Sequence, residues 1–272
     1  MFYAGTPSAL NEQIKNCFTH ELGPGKLPDV KEGPLKRLVG LVCPHAGYEY
    51  SGPVAAHAYY GLALDGKPDV IIIFGPNHVG WGSALATMNE GVWSTPLGDV
   101  EIDTSTVNEI MRECSILDVD DSAHMHEHSI EVQLPFIQYL YGSSFKFVPV
   151  SFLMQDLDSS REMGQAVARV LSEKNALIIA STDLTHYEPQ KQALRKDEMA
   201  IEAILKLDED KLYSIIETYG VSACGYGPLI ALITAAKALG VKEAKLLCHK
   251  TSGDITGDVY SVVGYASISF SR

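Results

Sequence analysis

The chain has 272 residues, of which 46% are hydrophobic and 20% charged, and its formal net charge is −13. This is the composition of a globular protein long enough to bury a full core, and it argues against disorder. The negative charge argues against a general binding surface for nucleic acid or anionic membrane, because both would repel it. The chain contains neither an 18-residue apolar run nor a signal-peptide pattern. We therefore expect a cytoplasmic protein with no nucleic-acid or membrane partner.

Apolar strands alternate with amphipathic helices along the chain. Thr6-Pro7-Ser8 opens a helix that reaches about residue 18. The central strands are predicted over residues 37–43, 70–74, 145–150 and 176–180. The later helices are predicted over residues 52–64, 104–114, 130–141, 159–171, 190–206, 208–218 and 226–239. Pro135 should kink the helix over 130–141 or mark its true start.

The remaining segments complete the predicted architecture. Residues 91–98 are interpreted as an irregular loop, and closing strands at 243–248 and 259–269 flank a turn at Ser252-Gly253-Asp254. The alternation predicts a three-layer α/β/α sandwich around a mostly parallel central sheet, with an antiparallel closing pair. No repeat or linker divides the chain, so we expect a single domain over residues 1–272.

Polar residues follow three of the buried strands at the point where each strand ends. His45 follows the first strand, Asn77 and His78 follow the second, and Asp183 and His186 follow the strand at 176–180. The carboxyl ends of parallel strands form the edge where ligands bind, so we expect these clusters to face one pocket. Two imidazoles at separate strand ends suit a metal ion. The candidates for a third ligand are Asp183, His128, His186 and Cys224.

Three histidines alternate in the segment that precedes the helix at 130–141. An extended backbone would put His124, His126 and His128 on one side, as a metal-binding clip. We favour a solvated turn in which only His128 reaches the pocket. Glu127 has a simpler interpretation, since an acidic residue near a helix start interacts favourably with the helix dipole.

Cys224 is the cysteine most suited to a role. The five cysteines form an odd set without a CxxC spacing, which favours reduced thiols over a disulfide framework. Cys224 precedes a helix, and that position tends to lower the pKa of a thiol and to favour the metal-binding thiolate. The alternative is a small buried apolar residue. Asp183 and His186 could form a hydrogen-bonded pair in which the carboxylate orients the imidazole.

Five motifs occur together and in a fixed order. They are Pro44-His45-Ala46-Gly47-Tyr48, Gly75-Pro76-Asn77-His78, the segment from Glu127 to Phe136, the segment from Ser181 to Tyr187, and Cys224-Gly225. In these motifs the chain resembles the Memo family, including the prokaryotic members called AmmeMemoRadiSam system protein B. The resemblance implies a fold similar to that of class III extradiol dioxygenases, non-haem iron enzymes that open catechol rings. It also implies His45, His78 and Cys224 as metal ligands, with His128, Asp183 and His186 as neighbouring pocket residues. We predict that these three neighbours are catalytic.

The third ligand position departs from the dioxygenase pattern. Those enzymes hold iron with two histidines and a carboxylate, whereas the matching position here is Cys224. A thiolate is softer than a carboxylate and favours zinc or Cu(I). The expected cofactor is a divalent or redox metal ion, with iron or copper favoured over zinc.

Three functions fit these residues. The first is a metal-dependent, dioxygenase-like oxidoreductase that acts on a small aromatic molecule, with His128 and His186 as acid and base. The second is a non-catalytic protein that binds a metal or a peptide in the same cleft. The resemblance implies this second function, because eukaryotic relatives are associated with phosphotyrosine peptides, and it implies a radical-SAM pathway partner for prokaryotic members. The third is a zinc hydrolase in which His128 or Asp183 acts as base.

Overall fold

An eleven-stranded sheet runs through the protein, which a computed structural model describes over residues 2–272. The strands are β1 (Leu38–Cys43), β2 (Val70–Pro76), β3 (Leu85–Thr87), β4 (Val92–Thr95), β5 (Gly98–Ile102), β6 (Leu117–Val119), β7 (Lys146–Phe152), β8 (Ala176–Ser181), β9 (His186–Glu188), β10 (Glu243–Thr251) and β11 (Val262–Ser271). The helices are α1 (Pro7–Thr19), α2 (Gly52–Asp65), α3 (Thr104–Glu113), α4 (Leu134–Tyr141), α5 (Leu157–Leu171), α6 (Gln190–Leu205), α7 (Glu209–Tyr219), α8 (Tyr226–Ala238) and α9 (Ser252–Thr256).

The sheet is parallel in its centre and contains antiparallel pairs on both sides of that centre. Its main path runs β10-β11-β1-β8-β2-β7-β3-β6. The neighbours β1, β8, β2 and β7 are parallel, whereas β11 pairs antiparallel with both β1 and β10. On the other side of this centre, β3 pairs antiparallel with β7. The predicted parallel centre and antiparallel closing pair are therefore confirmed.

Helices cover both faces of the central strands. Every residue of β2 is buried, which requires cover on both sides of an apolar, β-branched strand. One group of helices consists of α1, α2 and α4, and the other is built around α3, α5, α7 and α8. The mixed α/β sandwich predicted from the sequence is confirmed. Among residues 2–272, no helix has both the length and the apolar character needed to cross a membrane.

The register of the central strands sets the position of the polar residues that follow them. Ala180 of β8 pairs with Val42 of β1 on one side and with Phe74 of β2 on the other. Because these three strands are parallel and their paired residues are in register, their carboxyl ends lie at one edge of the sheet. The loops that carry the predicted site residues therefore start next to one another.

Three local features refine or correct the sequence analysis. Residues 91–98 are not an irregular loop, because β4 forms an antiparallel pair with β5. The segment 252–254 is not a simple turn but the start of α9, which a capping box formed by Thr251 and Asp254 stabilises. Pro135 lies in the first turn of α4 and so marks the helix start, one of its two predicted roles.

The packing of α5 on α8 generates a stability prediction. A Cβ added at Gly164 would lie 2.4 Å from the carbonyl oxygen of Ala231, a backbone atom that cannot rotate away. We expect Gly164→Ala to lower the free energy of unfolding by roughly 1–3 kcal/mol. Gly61→Ala is the matched control, since its Cβ meets nothing within 4 Å, and it should raise stability by roughly 0.5–1 kcal/mol. Urea unfolding measures both, and equal stabilities of the two variants would contradict the prediction.

Candidate metal centre

The ends of the central strands surround a cavity of about 530 Å³. Its lining consists of His45, His78, His128, Asp183, His186 and Cys224, together with Phe2, Ala46, Gly47, Tyr187, Ser222 and Val263. The six site residues named from the sequence therefore share one cavity. Asn77 does not line it, because its side chain bonds to the backbone of Trp81 and Gly80 and closes the loop after β2.

Three imidazoles form a compact group in this cavity. His45, His78 and His128 each offer a ring nitrogen, and these nitrogens lie within 4.8 Å of one another. The rings of His78 and His128 stack, with centroids 4.9 Å apart, and His45 lies nearly perpendicular to both. The sulfur of Cys224 lies 3.2 Å from His45 Nε2. Nitrogen and sulfur donors of this kind are the ligands that zinc, copper and iron prefer.

Hydrogen bonds assign the tautomer of His45. Ser181 donates its only hydroxyl proton to the carbonyl of Ser129 at 2.6 Å, and its oxygen accepts from Gln133 Nε2 at 2.7 Å. His45 Nδ1 lies 2.8 Å from the same oxygen, so Nδ1 must be the donor of this pair. The lone pair of His45 is therefore on Nε2, the nitrogen beside Cys224.

Glu127 holds the ring of His78 and the backbone of His128. Its side chain is buried, and one oxygen lies 3.0 Å from His78 Nδ1 and 3.5 Å from His128 Nδ1. The same carboxylate accepts the backbone N–H groups of His78, His128 and Ser129. Burial opposes the charge, but these hydrogen bonds outweigh it and hold the pKa of Glu127 at about 2. An ionised carboxylate thus fixes His78 as the Nδ1–H tautomer and leaves Nε2 free.

His186 is oriented by the backbone and not by Asp183. Its Nδ1 lies 2.7 Å from the carbonyl oxygen of Leu184 and 2.8 Å from that of Ser222, so Nδ1 carries the proton. Asp183 instead accepts the backbone N–H of His45 at 2.9 Å. The predicted Asp183–His186 hydrogen-bonded pair is therefore wrong, because the carboxylate points to the backbone of His45, in the loop after β1.

The predicted low pKa of Cys224 is also wrong. Burial raises the pKa of the thiol, and the nearby Asp183 carboxylate raises it further. The Asp183 N–H, 3.2 Å from the sulfur, only partly opposes this shift. Burial likewise raises the pKa of Asp183 to about 6. Desolvation thus exceeds the effect of the following helix, and the free thiol is neutral at pH 7.

Both His45 and His128 are held neutral. Burial lowers the pKa of His45 well below its ordinary value, and the neighbouring His78 and His128 lower it further. Burial also lowers the pKa of His128 to about 4, although Glu127 opposes the shift. Neutral imidazole is the form that binds a metal ion.

The alternating histidines diverge in the structure. His128 reaches the cavity, as expected, and His126 is exposed, with its ring edge-on to Trp81. His124 is buried, so the expectation that it belongs to a solvated turn is wrong. The irregular backbone of this segment, which a spacing argument cannot supply, turns His124 away from His128.

Three residues of the site have roles that the sequence does not predict. Glu127 does not interact with a helix dipole, because α4 begins seven residues later. Ser181 directly precedes Thr182 and Asp183, so its place at the end of β8 was the available signal. Phe2, whose ring stacks on His128 at 4.0 Å, gave no signal because the contact joins the start of the chain to a distant loop.

Comparison with known families agrees with the motifs. The profile of the Memo-like protein family matches residues 1–269. The chain belongs to the Memo family. A MEMO1 family protein of Methanopyrus kandleri is 54% identical over 100% of this chain and 96% of its own length. A relative from Methanothermobacter thermautotrophicus is 48% identical, covering 98% of this chain and 96% of its own.

The fold also occurs in a solved structure. A crystal structure of an uncharacterized protein from Escherichia coli K12 matches with a TM-score of 0.59, covering 86% of this chain and 99% of the other. Its sequence identity is 14%, so this likeness concerns the fold alone.

The lowered pKa of His128 predicts how acid affects this Memo-family protein. The unfolded chain takes up a proton on this histidine below pH 6.5, whereas the folded chain does so only near pH 4. Stability is therefore lost as the pH falls through this window, by at most about 1.4 kcal/mol per pH unit for one group. His128→Phe should give a shallower dependence in urea unfolding at pH 4.5–7, and the exposed-site control His126→Phe should keep the original one. If the free energy of unfolding changed equally with pH in both variants, the assignment of this pH dependence to His128 would be wrong.

Proposed function

We propose that this Memo-family protein binds a transition metal through His45, His78 and Cys224 and uses it in redox chemistry on a small aromatic molecule. The observation that carries the proposal is the group of three imidazole nitrogens within 4.8 Å, with the Cys224 sulfur beside His45. Iron or copper is the favoured metal and zinc is the alternative. When bound, such a metal supplies a Lewis acid and, for iron or copper, a centre that exchanges electrons.

The donor set fits a metal ion. His45 and His78 are fixed with a proton on Nδ1, by Ser181 and Glu127 respectively, and so present an unprotonated Nε2. Holding the far nitrogen of a ligating histidine in this way is the usual arrangement around protein metals. Cys224 is protonated when free and would lose that proton on binding.

Other residues of the cavity suit proton transfer. His186 donates from Nδ1 to two carbonyls, which leaves Nε2 as a base. His128 lies against His78 in the stacked pair, but its pKa of about 4 makes it a weaker base at pH 7 than an ordinary histidine. Asp183 has a pKa of about 6, close to the pH at which it would exchange a proton efficiently.

The cavity suits a small molecule. Its volume of about 530 Å³ lies within the range of small-molecule sites. Phe2, Tyr187 and Val263 contribute apolar walls beside the polar donors. Phe2 and His128 already stack face to face, so flat rings pack well here. A planar phenolic ring is therefore the substrate class that the lining favours.

The ligand assignment predicts a measurable proton release. Protein purified without oxygen should carry metal by mass spectrometry, and His45→Ala should lose it. Metal titrated into stripped wild-type protein at pH 7.5 should release one proton more than into Cys224→Ser, because the imidazoles contribute equally in both proteins and only the thiol releases an additional proton. Calorimetry in buffers of different ionisation enthalpy counts the protons.

The control for this experiment is Cys248→Ser, a half-buried cysteine outside the cavity that should behave as wild type. Unchanged proton release and affinity in Cys224→Ser would show that sulfur is not a ligand and would favour His128 in its place.

The redox proposal predicts activity that depends on His186. Metal-loaded protein should consume oxygen when a member of a catechol panel is added. His186→Gln should lower that rate by roughly 10²–10⁴-fold without changing the metal content, because it removes a proton acceptor and not a ligand. An oxygen electrode measures the rate, with His126→Gln as control. A metal-loaded protein inactive on every catechol would contradict the redox proposal while leaving the metal site intact.

A second candidate function is non-catalytic binding in the same cavity. The presence of Cys224 favours it, because a thiolate ligand suits tight binding of Cu(I) or zinc without turnover. Stoichiometric metal together with saturable peptide binding, and no oxygen uptake, would support this function over the first.

A further inference from the structure

A second cavity lies on the far side of Glu127. It measures about 390 Å³ and shares no lining residue with the candidate metal centre. Its lining consists of Met88, Trp93, Ser94, Asp121, His124, Met125, Glu127 and Glu131. Glu127 separates the two cavities, since its carboxylate contacts His78 while the residue also lines the second cavity. We call this second cavity the His124 pocket.

His124 is a buried polar group without a partner. The residue is 6% exposed, and neither ring nitrogen makes a hydrogen bond within residues 2–272. Burial lowers the pKa of His124 to about 4, and the Asp121 carboxylate and the nearby Ala86 carbonyl, whose geometry falls short of a hydrogen bond, only partly oppose this shift. A neutral imidazole offers one donor and one acceptor, and leaving both unused is costly. Buried polar groups of this kind normally have a partner, which a ligand could supply.

The charge of the lining favours a cation. Asp121, Glu127 and Glu131 contribute carboxyl groups, and no lysine or arginine from the described part of the chain lines the pocket. Two of these groups already serve the protein, because Glu127 accepts hydrogen bonds from His78 and Glu131 accepts one from Tyr3. Their negative charge still acts across the small cavity, and the net charge of −13 adds to it.

The shape and chemistry favour an organic cation over a metal ion. The one cluster of metal-ligating atoms within 4.8 Å in residues 2–272 is that of His45, His78 and His128, so the His124 pocket lacks converging donors of that kind. Trp93 stands edge-on to His124 at 5.6 Å and donates to the Met88 sulfur at 3.2 Å. These side chains, with Met125, form apolar walls that suit an alkyl chain.

We propose that the His124 pocket binds a primary alkylammonium group, with His124 accepting one of its N–H protons and Asp121 and Glu131 balancing its charge. The alkyl chain lies between Trp93 and the two methionines. A free amine and the side chain of a lysine residue share this chemistry. Binding here is separate from the metal centre, so it is independent of the proposed redox function.

Imidazole ¹H–¹³C NMR of the metal-stripped protein tests the proposal. The chain has nine histidines, and the ring signal that is absent in His124→Phe belongs to His124. At constant pH, n-butylammonium should shift the His124 signal saturably, whereas n-butanol, which has the same chain without the charge, should not. Nα-acetyl-lysine methylamide tests the second source, and tighter binding than n-butylammonium would identify a lysine side chain. No shift of His124, or equal shifts with butanol, would overturn the proposal.

Three further variants test which residues contribute to n-butylammonium binding. Asp121→Asn changes an exposed carboxylate, and it should weaken n-butylammonium binding by roughly threefold, as removal of one exposed charge pair does. His126→Phe, two residues from His124 and outside the pocket, should bind as wild type. His45→Ala should also bind n-butylammonium with wild-type affinity. That result would show that binding in the His124 pocket does not depend on the metal site. Unaltered affinity in Asp121→Asn would overturn the proposal even if His124→Phe failed to fold.

Discussion

A single buried carboxylate, that of Glu127, holds the candidate metal centre together. The residue is 4% exposed, and an unpaired charge at such a depth would be strongly destabilising. Its hydrogen bonds come from the loop after β2, through His78, and from the segment before α4, through His128 and Ser129. One ionised group therefore fixes the ring of His78 and the backbone that carries His128. Because the same group also lines the His124 pocket, it lies between both candidate sites.

The central sheet supplies the third imidazole and the thiol. His45 follows β1, and its ring is held by Ser181 at the end of the neighbouring β8. Cys224 enters from the segment before α8, where its backbone N–H donates to the Asp183 carbonyl at 3.2 Å. Each donor is thus fixed by short hydrogen bonds to adjacent backbone or to a small polar side chain. Hydrogen bonds of this kind orient the ligands around protein metals, in keeping with the proposed site.

The sequence was sufficient for features that depend on strong local patterns. Long apolar strands that end in polar residues predicted the parallel sheet and the gathering of His45, His78 and Asp183 at one edge. The sequence was insufficient for properties that depend on burial in the tertiary structure. The pKa of Cys224 rises because of desolvation that no spacing reveals, and the burial of His124 depends on Trp93 of β4. That four-residue strand is itself too short for a periodic pattern.

The central claim is that His45, His78 and Cys224 form the inner coordination of a metal ion. X-ray absorption spectroscopy at the zinc edge, on protein loaded with one equivalent of zinc, tests it most directly. The account predicts imidazole nitrogens at about 2.0–2.1 Å and one sulfur at about 2.3 Å, with the sulfur absent in Cys224→Ser. A spectrum of wild-type protein with nitrogen and oxygen neighbours but no sulfur would contradict the assignment of Cys224. A spectrum without imidazole scattering would contradict the site itself.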